Sequence, residues 1–361
     1  MIKAAVIVPT YNAAQTLPTC LEALLSQQLE PEIFLEILVV DDGSTDNTAC
    51  VARCYMARGV RFIRTCHRGA AAARNAGIKA ASQDCTILLF TDADCRPALD
   101  WASQMINALD GAGEKIAGVK GRYQTCQQSP IARFVQSEFE ERYTRFVRLK
   151  VQPDFADTYS AAFRRHILDQ QPFDESLPGA IVEDAELGWR LRQAGYSFEF
   201  APQAVVYHQH PSSLLAYFRR KFRIGRWRMI LYRRYPALLS GDSHTSQLAK
   251  LQMLLLGASF ASLLLAIILR LIPKSRSLAK SGLLASVVCF GVLQLSFGPF
   301  IRRLRRNSSG ATGLAWLLLN LRAAGFTFGA LTGLVQLIFE TSSNPPPYKS
   351  PGRSAGKPDS D

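Results

Sequence analysis

Apolar residues fall in short blocks broken by polar turns through the first half of the chain, and in long unbroken runs through the second. Ala4 to Val8, Leu35 to Val40 and Val60 to Thr65 have the length and β-branched content of strands. Ile87 to Phe90 is apolar at every position and bounded by Thr86 and Thr91, the pattern of a strand covered on both faces of a parallel sheet. Between these blocks, Leu17 to Gln28 puts Leu17, Leu21, Leu24 and Leu25 on one side of an amphipathic helix. His67 to Gly77 opens a helix of small residues that can approach the sheet or a ligand closely. Strands alternating with helices predict an α/β fold with a doubly wound, mostly parallel sheet.

Further along, Ile116 to Tyr123 reads as a strand and Ser129 to Lys150 as a helix whose Glu138, Glu140 and Glu141 form a solvated acidic face. Leu187, Leu191 and Ala194 form the packed side of a helix that Gly195 terminates. Phe198 to Val206 is a last strand, ending in Tyr207-His-Gln-His210. The character then changes. Ser213 to Tyr235 mixes eight cations with aromatics and has no acid, as an interfacial helix does with its aromatic face in the headgroups. Leu251 to Leu269 is charge-free for 19 residues, about 28 Å as a helix, and Ser281 to Ile301 for 21. A third run, Ala311 to Phe339, contains Asn320 and Arg322; it spans from Ala323 with Arg322 snorkelling, or keeps Arg322 buried against a polar partner. Pro345-Pro-Pro347 and the polar residues after it read as a disordered end. The expected organisation is an α/β domain over 1–210, a basic amphipathic segment over 211–247, about three transmembrane helices over 248–340 and a disordered tail over 341–361.

Charge sharpens this division. Residues 1–199 carry 21 Lys+Arg against 25 Asp+Glu, whereas residues 200–339 carry 18 Lys+Arg against one acid, Asp242. The apolar runs make a membrane the partner of this basic half and exclude nucleic acid. Arg302, Arg303, Arg305 and Arg306, with the arginines before the first run, place the first 235 residues in the cytoplasm of a multi-pass protein of the cytoplasmic (inner) membrane. Lys274, Arg276 and Lys280 on the other side argue against that orientation. The eight cysteines contain no C-x-x-C, in keeping with a reducing location. Ala4 to Val8 already reads as a core strand, so no cleaved leader is expected.

Candidate chemistry sits where strands end. Asp92 and Asp94 follow the buried strand directly, and hard oxygen ligands at that spacing suit Mg²⁺ or Mn²⁺ shared with phosphate oxygens. The second strand runs into Asp41-Asp-Gly-Ser-Thr-Asp46, where Ser44 and Asp46 serve turn and cap while Asp42 exceeds what one cap needs. Arg74 reaches toward a diphosphate or lies on a surface. Glu183 and Asp184 either complement a helix dipole or do chemistry. No Lys-bearing P-loop is present, and no G-x-G-x-x-G follows a predicted strand.

Val6-Ile-Val-Pro-Thr-Tyr-Asn12, Val39-Val-Asp-Asp-Gly-Ser-Thr-Asp46, Ala73-Arg-Asn-Ala-Gly77 and Thr91-Asp-Ala-Asp94, in this order, resemble a family-2 glycosyltransferase of the GT-A fold, membrane-anchored and of bacterial type. The resemblance implies a Rossmann-like sheet with flanking helices, followed here by the C-terminal transmembrane helices. It also implies that Pro9, Thr10, Tyr11, Asn12 and Asp42, with its neighbour Asp41, hold the nucleoside of a UDP- or GDP-sugar. Asp92 would lie near ribose and phosphate with Arg74 beside it, and Asp94 would ligate the Mg²⁺ or Mn²⁺. Glu183-Asp184 resembles the family's base motif, which makes Asp184 the general base of an inverting transfer and puts Glu183, Trp189 and Arg190 in the acceptor pocket. His208 would contact the diphosphate. Arg226-Trp227 matches the end of the polymerising relatives' Q-x-x-R-W, but Arg223 replaces its Gln, which counts against processive synthesis. The acceptor implied is lipid-linked or a saccharide near the membrane. Two rival readings are a membrane transport or scaffold protein that binds nucleotide-sugar without turnover, in which Glu183-Asp184 has no role, and a nucleotidyltransferase, which would release pyrophosphate.

Overall fold

The sequence's short apolar blocks become the strands of one sheet, seen in a computed structural model that describes residues 1–177, 182–239, 246–307 and 312–339. In chain order the elements are β1 (Ile2–Thr10), α1 (Leu17–Leu25), β2 (Ile33–Asp41), α2 (Thr48–Cys54), β3 (Val60–Arg64), α3 (Ala70–Ala80), β4 (Ile87–Phe90) and the two-residue β5 (Arg96–Pro97). There follow α4 (Trp101–Asp110), β6 (Ile116–Gln124), α5 (Pro130–Arg148), β7 (Ala161–Arg164), α6 (Arg165–Gln170), α7 (Glu183–Gln193) and β8 (Ser197–Tyr207). The apolar half supplies α8 (Leu214–Arg234), α9 (Gln247–Arg270), α10 (Arg276–Ser296), α11 (Gly298–Asn307) and α12 (Thr312–Phe339). The tail expected to be disordered lies outside the described residues.

The strand order is β3-β2-β1-β4-β7-β6-β8-β5. β3, β2, β1 and β4 run parallel, β7 enters antiparallel between β4 and β6, and β8 lies parallel to β6. The carboxyl ends of β1, β2, β4, β6 and β8 therefore share one edge, and the start of the reversed β7 arrives there too. Alternation along β1 divides the core between the two faces. Val6 and Val8 pack with Leu17, Leu21 and Trp101, whereas Ile7 packs with Ala73, Ile78 and Phe90. The small-residue helix α3 does lie close to the sheet: a Cβ on Gly77 would stand 2.4 Å from the Ile7 side chain.

Three helical stretches are long and apolar enough to cross a membrane: Gln247–Arg270, Pro273–Arg305 and Gly313–Phe339. The basic segment is the helix α8 as expected, but it does more than lie on a surface. It packs along α12 so closely that Cβ atoms on Gly325, Gly329 and Gly333 would meet Lys221, Phe222 and Arg226 at 2.8, 2.1 and 2.6 Å. Small residues at four-residue spacing let the two backbones touch.

The acidic face expected on α5 is not solvated at Glu138. Its carboxylate is buried, 2.8 Å from Lys221 Nζ and 3.0 Å from Arg322 Nη1, and it accepts from the Tyr217 hydroxyl at 3.2 Å. Arg322 also donates to Gln252 Oε1 at 3.0 Å, so of its two expected settings the polar partner is realised and the snorkel is not. Burial raises the Glu138 carboxyl, and the Lys221 and Arg322 charges more than reverse that, holding it at about 2. Its folded value lies below the unfolded one, so its stabilising contribution is present above the ordinary carboxylate range and is lost as pH falls toward 2. Glu138→Ala strands two buried cations, and unfolding of the detergent-solubilised protein at pH 7 should show a loss of about 3–5 kcal/mol.

Candidate active site

The shared edge of the sheet opens into a cavity of about 1820 Å³. Pro9, Thr10, Tyr11 and Asn12 line it from the end of β1, Asp42 from β2, Asp92 and Asp94 from β4, His208 from β8, and Glu183 and Asp184 from the first turn of α7. Parallel strands deliver their exits to one edge, so acids scattered over 140 residues of sequence meet there.

Asn12, at a positive φ of 50°, accepts at Oδ1 from the Thr45 and Asp46 amides at 2.9 and 3.3 Å, and so ties the β1 turn to the β2 turn. Tyr11 stacks on His67 with ring centroids 4.1 Å apart. Asp42 accepts from the Arg68 amide at 2.9 Å and the Gly69 amide at 2.8 Å, which organises the start of α3 while its carboxylate borders the cavity. Its neighbour Asp41 points the other way. Fully buried, it accepts from the Ser44 amide at 3.0 Å and does not line the cavity, because successive strand residues alternate in direction. Asp41 is thus a turn residue rather than part of the pocket. Asp46 accepts from the Thr48 amide at 2.9 Å, a turn bond ahead of α2.

Arg74 is not a surface residue but part of the cavity wall. It is buried, donating through Nη1 to Glu183 Oε1 at 2.7 Å and through Nη2 to Asp92 Oδ1 at 3.1 Å. Asp184 accepts from the Ala185 amide at 2.7 Å. Burial, with the Glu183 charge next, raises its carboxyl to about 7. Asp94 is half-exposed, 2.8 Å from His208 Nε2, and the ligand atoms of Asp94, Cys95 and His208 lie within 4.8 Å of one another. Burial holds the Cys95 thiol well above its ordinary value, which leaves a carboxylate and an imidazole as the donors.

Four residues expected at the pocket lie elsewhere. Arg190 is buried against Glu186, Gln171 and the Pro172 carbonyl. Trp189 packs with Leu177, Val182 and Tyr235. Arg226 donates to Gln336 Oε1 on α12 at 2.9 and 2.6 Å, and Trp227 joins the Trp189 cluster. Each is turned away by the helix face on which it falls.

The model of the family described as glycosyl transferase family 2 matches residues 5–170. Glycosyltransferase AglE of Haloferax volcanii is 30% identical over 233 residues, 61% of this chain and 71% of its own length. The chain belongs to glycosyl transferase family 2. The O-antigen chain rhamnosyltransferase RfbN of Salmonella typhimurium is 25% identical over 233 residues, 62% of this glycosyltransferase and 72% of its own length. The mannosyltransferase PcManGT from Pyrobaculum calidifontis, solved with GDP-Man and Mn²⁺, shares the fold, with a TM-score of 0.57 at 19% identity over 92% of this chain and 87% of that one. This glycosyltransferase has the GT-A architecture read from its motifs, a mostly parallel sheet followed by three apolar helices.

One cavity residue carried no sequence signal as a site residue: Arg142 sits in an unremarkable stretch, and only its position in space brings it to the wall. Arg74→Met removes the cation between Asp92 and Glu183 and leaves Glu183 buried without its partner. Chemical unfolding of the detergent-solubilised enzyme should show a loss of about 3–5 kcal/mol.

Proposed function

We propose that this glycosyltransferase moves a sugar from a nucleotide-sugar donor to an acceptor hydroxyl with inversion, Asp184 taking the proton. The observation that carries this reading is Asp184 itself: a cavity-lining carboxylate held at about 7, on the same edge as Asp42, Asp92 and Asp94. A base poised near neutrality removes a hydroxyl proton as the oxygen attacks the anomeric carbon from the face opposite the leaving diphosphate. The Tyr11–His67 stack and Asp42 border the place for the nucleoside, and Asp92 the ribose.

A carboxylate and an imidazole suit a divalent cation at Asp94 and His208, and the nitrogen donor favours Mn²⁺ over Mg²⁺. When bound there, it neutralises charge developing on the leaving diphosphate. The mannosyltransferase of similar fold was solved with GDP-Man and Mn²⁺. The chain's own part is to hold Asp94 through His208 and Asp92 through Arg74.

In the same reading, residues 1–210 are the catalytic domain, 211–247 an interfacial segment and 248–340 a multi-pass anchor in the cytoplasmic membrane, with catalysis on the cytoplasmic side. Arg303 on α11 lies 3.2 Å from Glu141 of α5, which supports placing that arginine cluster on the catalytic side. An acceptor linked to lipid suits an enzyme held this close to a bilayer.

Donor hydrolysis by the purified protein with Mn²⁺ should fall about 10²–10⁴-fold in Asp184→Asn, with nucleoside diphosphate, not pyrophosphate, as the wild-type product. Retained hydrolysis would remove Asp184 as base. The free-enzyme kcat/KM should rise with pH through about 7 as Asp184 ionises, and the variant should lose that rise. The Tm of Asp184→Asn at pH 8 should be no lower than wild type, because the substitution removes a buried charge. Among UDP- and GDP-sugars, the true donor at 100 times its Kd should stabilise the fold by about 2.7 kcal/mol, and by less without Mn²⁺.

A further inference from the structure

Behind the candidate base the fold buries a pair of opposite charges that lies outside the set of acids described above. Lys120 on β6 is 1% exposed and Asp157, in the segment before β7, is 6% exposed. Their side chains form an ion pair. Away from water such a pair often gives a fold no more stability than apolar groups of the same volume, so stability alone does not account for it. Its place is more informative.

The Lys120 ammonium stands 5.4 Å from the centroid of the Phe155 ring and 5.9 Å from that of Tyr159. Phe155 in turn is pressed against α7, where a Cβ on Gly188 would lie 2.1 Å from the Phe155 Cβ and 2.9 Å from the Asp154 carbonyl oxygen. Gly188 falls four residues after Asp184, one turn along the same face of the helix. Phe155, Asp157, Tyr159 and Asp184 all line the cavity, so the buried ammonium lies behind the wall that carries the base. The charges at that wall are unequal. Asp92, Glu183 and Asp184 are three carboxylates, and Arg74 donates to the first two. The charged and titratable groups that face Lys120 are Asp157 and Tyr159 from the segment before β7, Arg142 from α5 and Asp184 from α7. Burial lowers the Lys120 pKa, the Arg142 charge adds to that, and the Asp184 carboxylate works against both. Reciprocally, burial and then Glu183 raise the Asp184 carboxyl, while Arg74 and Lys120 lower it.

We propose that Lys120 is a positioning residue of the transfer: paired with Asp157, it seats Phe155 against α7 and supplies the positive charge that holds Asp184 ready as a carboxylate. A general base must be anionic to accept the hydroxyl proton. A cation behind the wall favours that anion without entering the cavity, where it would pair with the diphosphate or with the other acids instead. Being buried, Lys120 does not itself meet the substrate. The inference rests on Asp184 as base, but its test reads that carboxyl directly and needs no donor, acceptor or metal.

The full chain in neutral detergent, labelled with ¹³C at the aspartate side-chain carboxyls, is titrated by NMR through the neutral range. The resonance lost in Asp184→Asn should have its wild-type midpoint at about 7. Lys120→Met should move that midpoint up by about 1 pH unit, and Lys120→Arg, which keeps the charge, should leave it within about 0.3. A folded Lys120→Met whose midpoint is unchanged or lower overturns the proposal. Since Lys120→Met strands Asp157 in the interior, the double variant Lys120→Met/Asp157→Leu, which replaces the pair by apolar groups, decides where the single one does not fold. Its midpoint should also rise, and one that stays at the wild-type value refutes the role of Lys120 alone. A wild-type Asp184 that titrates in the ordinary carboxylate range defeats the base reading, and this proposal falls with it.

Discussion

A single guanidinium sets the spacing on which the whole site depends. Carboxylates gathered at one edge of a sheet repel one another, and Arg74, buried between Asp92 and Glu183, holds the exit of β4 and the first turn of α7 in a fixed relation despite that repulsion. Its own position is secured because α3 is built from residues small enough to lie against β1. Packing thus determines where the cation stands, and the cation determines how far Asp184 is from the acids across the cavity.

The acids were legible in the sequence because parallel strands end at the same edge, and a strand's exit can be read from its apolar block. What could not be read was direction. Asp41 and Asp42 are adjacent, and the strand's two-residue period sends one beneath the turn and the other to the cavity. The helical case is similar. Trp189 and Arg190 lie five and six residues after Asp184, which at about 100° per residue puts both on the far side of α7. Arg226 and Trp227 occupy a face of α8 turned to α12 and the Trp189 cluster.

Glu138 failed the sequence reading for another reason. Three acids on one helix have the appearance of a solvated face when only neighbours are counted, but the cations that neutralise Glu138 come from Lys221 and Arg322, 83 and 184 residues away.

The glycines of α12 have a consequence for the geometry of approach. Backbones that touch along α8 and α12 cannot slide without colliding, so the catalytic cavity is carried at one elevation relative to the apolar helices. In the proposed reading that puts those helices in a bilayer, the mouth of the enzyme would work as a depth gauge for the reactive group of an acceptor held there.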